Sequence, residues 1–202
     1  LIEMSGQNYM PGATAVGITY KGGVIVAAEK RISYGTYVVS KTGRKVFRVA
    51  DKVGAACAGL VGDMQILMRE ISSYVKIREI ETRRSLPPNS VAKLLSVIMF
   101  ERRFAPFITQ IVIGGVGGEP SVYVLDPLGS VIPDKYATVG SGAELAIGVI
   151  ESEYREDMGE EDAKKLAIKS IKSAIQRDAA SGDGVDIMVI TAAGIKEETS
   201  NF

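Results

Sequence analysis

Apolar residues in this chain change period several times, and the changes mark out its elements. Residues 13–60 read as strands. The segments ATAVGIT and GVIVAAE flank Tyr20-Lys21-Gly22-Gly23, whose glycines supply the positive φ that a tight hairpin needs. GTYVVSK, RKVFRV and VGAACAG continue the β character. Over residues 62–80 the period becomes helical, because Met64, Leu67, Met68, Ile71 and Val75 fall on one face. Asp63 is placed to cap that helix. A second helix follows Pro87-Pro88-Asn89, with Val91, Leu94, Leu95 and Ile98 on its apolar face. Strands return in FITQIVIGG and SVYVLD, and in a short stretch after the Asp126-Pro127-Leu128-Gly129 turn. Ser141-Gly142-Ala143-Glu144 has capping-box spacing and opens a third helix. Gly159 separates it from a fourth, with Ala163, Leu166, Ala167, Ile171, Ala174 and Ile175 inward. GVDIMVIT is a last apolar strand.

This order is strands, two helices, strands, two helices and a strand. Strands and helices do not alternate singly, which argues against a doubly wound parallel sheet. Two mostly antiparallel sheets with a helix pair outside each would satisfy every apolar face. The expected fold class is α+β, a four-layer αββα sandwich. No linker or internal repeat divides the chain, so a single domain is expected over residues 13–195. Residues 196–202 are expected to form a polar, mobile tail.

Composition narrows the chemistry. The 202 residues contain 24 Lys+Arg, 24 Asp+Glu, one cysteine and no histidine. A Ser-His-Asp triad, a Cys-His dyad and a His-ligated zinc site are therefore excluded within the chain, as are an internal disulfide and a cysteine-rich metal cluster. The neutral balance argues against a nucleic-acid partner. No apolar run reaches membrane-spanning length. The opening LIEMSGQNYMPGA has no apolar core of a secretory signal, so a cytoplasmic location is expected. Catalysis, if present, must use carboxylates, lysines, hydroxyls, backbone amides or chain termini.

Taken one at a time, the candidate residues each have a bland alternative. Glu29 ends an apolar strand beside Lys30 and Arg31, where a solvated charge cluster is ordinary. Lys45, in KTGRKVF, reads equally as a surface lysine. Gly140-Ser141-Gly142 forms either an anion nest or a helix cap. Asp178 and Ser181, in RDAASGDG, read as a helix end entering a turn. Cys57, bracketed by alanines, behaves as a small buried apolar residue. The glycines of Gly114-Gly115-Val116-Gly117-Gly118 lack the strand–loop–helix setting of a phosphate loop.

Taken together, GATAVGITYKGGVIVAAEKR, KTGRKVF, AGLVGD, VGSGAELAIGVIESEY and QRDAASGDGVDIMVI resemble the β-type subunits of the archaeal 20S proteasome, within the N-terminal-nucleophile hydrolases. The resemblance spans about residues 12–192. It implies that a leader, here residues 1–12, precedes a threonine nucleophile whose own α-amine relays the proton. Such an amine, with a reference pKa of about 8, suits a protein without histidine. Carried over by position, Glu29 falls at the family's carboxylate and Lys45 at its lysine. Ser141, Asp178 and Ser181 fall around the amine, and the Gly59 N–H falls at the oxyanion donor. Ser33 falls where a strand edge meets extended substrate. Ile32, Phe47, Cys57 and Val61 fall around an apolar pocket for the residue before the scissile bond.

One departure is decisive. Where the family carries its nucleophilic threonine, this chain reads Gly12-Ala13-Thr14-Ala15-Val16-Gly17. Glu29 and Lys45 lie 16 and 32 residues beyond Ala13, which keeps the register. Alanine cannot attack a peptide bond, nor remove a leader by an N→O acyl shift. The expected function is thus that of a non-catalytic β subunit in a particle degrading unfolded polypeptides. The alternative is an active threonine endopeptidase with Thr14 exposed as nucleophile. A one-residue slip along a strand reverses side-chain direction, which opposes that alternative. The resemblance implies no metal or organic cofactor. It implies as partners α subunits, neighbouring and opposite-ring β subunits, a second catalytic β chain, and an ATP-driven unfoldase.

Overall fold

The computed structural model describes residues 12–201. The expected leader, Gly12 apart, lies outside the described residues. Chain order is β1 (Thr14–Tyr20), β2 (Gly23–Glu29), β3 (Ile32–Tyr34), β4 (Tyr37–Ser40), β5 (Val46–Ala50), β6 (Val53–Gly59), α1 (Val61–Thr82) and α2 (Pro88–Glu101). It continues with β7 (Thr109–Val116), β8 (Pro120–Leu125), β9 (Ile132–Asp134), β10 (Tyr136–Gly140), α3 (Ala143–Glu153), α4 (Glu160–Ile175), β11 (Val185–Thr191) and β12 (Gly194–Ser200).

The strands form two five-stranded sheets, β10-β1-β2-β11-β12 and β5-β6-β7-β8-β9, and a separate β3-β4 ladder. Every strand pair among the described residues is antiparallel. Helices α3 and α4 cover the first sheet, and α1 and α2 cover the second. This is the expected αββα sandwich. Its three apolar layers follow from alternation along the strands. In β2, Val24, Val26 and Ala28 face the other sheet while Ile25 faces α3 and α4, together with Ala27. A strand buried on both faces reads as a continuous apolar run, which is why GVIVAAE shows no polar alternation.

The two sheets approach closely because their facing residues are small. The layer between them is built from alanines and valines, with Met188 and Ile190 from β11. Glycines mark the tightest points. A Cβ on Gly114 would come within 2.6 Å of Val26 and 2.7 Å of Val24. Gly114 and Gly115 therefore sit within β7 for packing, in keeping with the poor fit of this run to a phosphate loop.

Three local expectations are corrected. Asp63 does not cap α1, which begins two residues earlier; its carboxylate accepts the Ile108 N–H at 2.7 Å instead. Ser141 does not cap α3, whose N-terminal flank is Gly142 with no side-chain cap. Residues 196–200 are not a mobile tail. They pair with β11 along the whole of β12, pinned by Arg44–Glu197 at 2.8 Å and Lys164–Glu198 at 3.1 Å. Charged residues on an edge strand discourage pairing with other chains, and that charge made the segment look unstructured.

Gly114→Ala is expected to force the sheets apart and destabilise the fold by about 1–3 kcal/mol, the usual cost of overpacking, read from the denaturant midpoint.

Candidate active site

Antiparallel pairing brings the start of β1 beside the end of β2 and the end of β10, and the end of β6 beside the start of β7. The loop joining α4 to β11 closes over this end of the sandwich. Glu29 and Lys45 meet here, and both are buried, at 0 % and 2 % exposure, which overturns their solvated readings. One Glu29 oxygen accepts the Arg31 N–H at 2.7 Å and the Gly182 N–H at 3.0 Å. The other accepts the Lys45 ammonium and the Thr14 N–H, the latter at 3.4 Å. Lys45 also donates to the Arg31 carbonyl. Burial raises the Glu29 carboxyl above the usual carboxylate range, and the Lys45 charge with the Gly182 and Arg31 N–H donors offsets only part of that rise. Every partner of Glu29 is a donor, which suits the carboxylate.

A second network lies around Asp178. Its Oδ2 accepts the Ser141 hydroxyl at 2.5 Å and the Ser181 hydroxyl at 2.7 Å, and its Oδ1 accepts the Ala180 N–H at 3.0 Å. The Ser181 proton is committed to Asp178, so the Thr14 hydroxyl, 2.7 Å from Ser181 Oγ, is the donor there. The Ala13 N–H donates to Ser141 Oγ at 3.1 Å. All these hydroxyl protons run towards Asp178.

Residues 13 and 14 face opposite ways. Ala13 is fully buried in the layer between the sheets. Thr14, also fully buried, points to the helix side, where a Cβ on Gly142 would collide with its hydroxyl and lie 2.8 Å from Ala174 of α4. Strand alternation makes this unavoidable once Ala15 and Ala28 are paired.

The other candidates divide. Gly59 holds φ of 141°, and a Cβ there would strike the backbone of Ile108 and Thr109, so only glycine fits. Ile32 and Ser33 of β3, Phe47 of β5 and Val61 at the start of α1 are half-buried. Cys57 is wholly buried in the core beneath α1 and α2, and burial pushes its thiol far above the usual range. It behaves as the apolar residue its neighbours suggested.

Sequence reasoning noted Arg31 only as a neighbour of Glu29. Its guanidinium binds Asp183 through Nε at 2.9 Å and the Ala179 carbonyl through Nη1 at 3.0 Å. No local signal reveals this, because those partners lie about 150 positions away. Gly182 was also missed. Its N–H serves Glu29, and a Cβ there would collide with the Arg31 guanidinium.

A sandwich of this architecture with a buried lysine–carboxylate pair at the mouth of its sheets can be compared with known proteins. A family model described as "Proteasome subunit" matches residues 10–190. The chain is 58 % identical over 188 residues to proteasome subunit beta 1 of Cenarchaeum symbiosum (strain A), covering 93 % of this chain and 97 % of that protein. It is 54 % identical over 194 residues to proteasome subunit beta 1 of Nitrosopumilus maritimus (strain SCM1), covering 96 % and 98 %. Against proteasome subunit beta 2 of Pyrobaculum arsenaticum the identity is 53 % over 194 residues, covering 96 % of each chain. The chain belongs to the proteasome subunit family, as a β-type subunit.

Lys45→Met removes one partner of a buried pair, and is expected to cost about 3–5 kcal/mol by leaving Glu29 uncompensated. Chemical denaturation checks this, and adding Glu29→Gln should recover part of the loss. Cys57 is expected to resist a thiol-alkylating reagent at neutral pH until the chain is unfolded, as followed by intact mass.

Proposed function

We propose that this chain is a structural β subunit of the proteasome core particle and does not itself cleave peptide bonds. The observation that carries the reading is the pair of side chains at 13 and 14. Ala13 occupies the place from which a hydroxyl would face the mouth between the sheets, and it has none. The next hydroxyl along the strand, on Thr14, is on the other face, buried beneath α3 and α4 and committed to Ser181. A side chain enclosed on that side offers no approach to an extended polypeptide. The nitrogen of Ala13, joined to Gly12, is an amide, and an amide cannot serve as the base that a free α-amine provides.

The chain takes its place in a ring of β subunits, stacked against α rings and an opposite β ring, in the cytoplasm. A second, catalytic β chain supplies threonine endopeptidase activity. Unfolded polypeptides, delivered by an ATP-driven unfoldase, are the substrates of the assembly. Enclosing the cutting sites within such a chamber restricts them to chains already unfolded. The retained Glu29, Lys45, Ser141, Asp178 and Ser181 persist here as a hydrogen-bonded polar network, buried at Glu29, Lys45 and Ser181, which is costly to dismantle piecemeal.

N-terminal mapping of the chain recovered from the assembled particle, after exposure to a threonine-directed covalent inhibitor, tests this. The expected result is an intact Gly12–Ala13 bond and no adduct on this chain, while a catalytic β chain in the same particle takes the label. A chain that begins at Thr14 and carries the adduct overturns the reading.

A further inference from the structure

The backbone from Gly12 to Thr14 is held more tightly than the start of a strand requires. The Ala13 N–H donates to Ser141, and the Ala13 carbonyl accepts the Gly142 N–H at 3.4 Å. The Thr14 N–H donates to Glu29, and its hydroxyl to Ser181. Gly12 passes through a gap that no other residue fits, because a Cβ there would collide with Ala180 and lie 2.7 Å from Ser141 Oγ. Two of these anchors, Ser141 and Ser181, converge on Asp178; a third, Glu29, is paired with Lys45.

The two halves of this arrangement meet at one residue. The main chain of Arg31 gives its N–H to Glu29 and its carbonyl to Lys45. Its side chain spans the loop that carries Asp178, Ser181 and Gly182, binding Ala179 on one side and Asp183 on the other. Asp183 holds a left-handed φ of 69°, and the Arg31 guanidinium keeps its carboxyl below the usual carboxylate range. Lys41, 3.8 Å from Asp183, is a more exposed second cation on the same group.

We propose that the retained polar network of this chain is a clasp for its own uncut backbone, and that Arg31 is the positioning residue joining the clasp's two halves. This rests on the reading of the chain as uncut at residue 13. The clasp holds an amide at Ala13 where a cleaved subunit would present an amine, and it keeps Thr14 turned towards the helices. The Lys30 N–H bond to the Gly182 carbonyl, at 3.1 Å, still tethers the loop when the Arg31 side chain is removed.

Hydrogen exchange of the purified full chain tests the clasp. In Arg31→Ala, exchange at the Thr14 and Gly182 amides, both of which donate to Glu29, should rise about ten- to a hundredfold, the range set by losing charge-assisted hydrogen bonds. Amides of β6 and β7 should be unchanged. A uniform rise at all amides makes Arg31 a general stabilising residue and overturns the proposal, as does no change at Thr14 and Gly182. If Arg31→Ala does not yield folded chain, Arg31→Lys is scored in the same way. Lysine keeps the charge and main chain but cannot span Ala179 and Asp183 together. Intact mass separates the two readings. A chain beginning at Thr14 removes the uncut reading and the clasp with it, whereas an intact chain with uniform or unchanged exchange removes the clasp alone.

Discussion

A carboxylate taken out of water must be met by charge and by hydrogen bonds, and Glu29 imposes that requirement on this protein. It sits at the end of a strand covered on both faces, where water cannot serve it. Its partners therefore come from across the fold: an ammonium from the segment before β5, N–H groups from Arg31 and Gly182, and one from the first residue of β1. Each must be in place for the others to be stable, so the mouth of the sandwich forms as a unit.

Within this fixed frame, strand register decides which side chain faces the mouth. The β1 register is set by pairing with β2 and β10 on both sides, and cannot slip to bring a different side chain into the mouth without inverting the whole strand. Thr14 is thus held away by the same alternation that buries Val16 and Ile18 against the helices. The network around Asp178 is complete without a hydroxyl at 13, because the Ala13 amide supplies the donor that Ser141 accepts.

Much of the fold was legible because the apolar periods were clean. The faces of α1 and α4, and the β1–β2 hairpin at Lys21-Gly22, lie where the pattern placed them. The misreadings share a cause. Asp63, Ser141 and the residues after 195 were assigned from local spacing and polarity, yet each is claimed by a distant partner: Ile108, Asp178 with Ala13, and β11. Local rules describe which bonds a residue can make with its neighbours, and a buried or paired alternative outcompetes them when the chain folds.

The sequence by itself determined the layer order, the family resemblance and the absence of a hydroxyl at residue 13, since these depend only on which residues occur and at what spacing. Tertiary structure alone decided that Glu29 and Lys45 are buried and paired, that Thr14 is enclosed on the helix side, and that Arg31 ties the two halves of the mouth together. Those outcomes depend on desolvation and on contacts between residues far apart in the chain, which take definite values only once the sheets have closed.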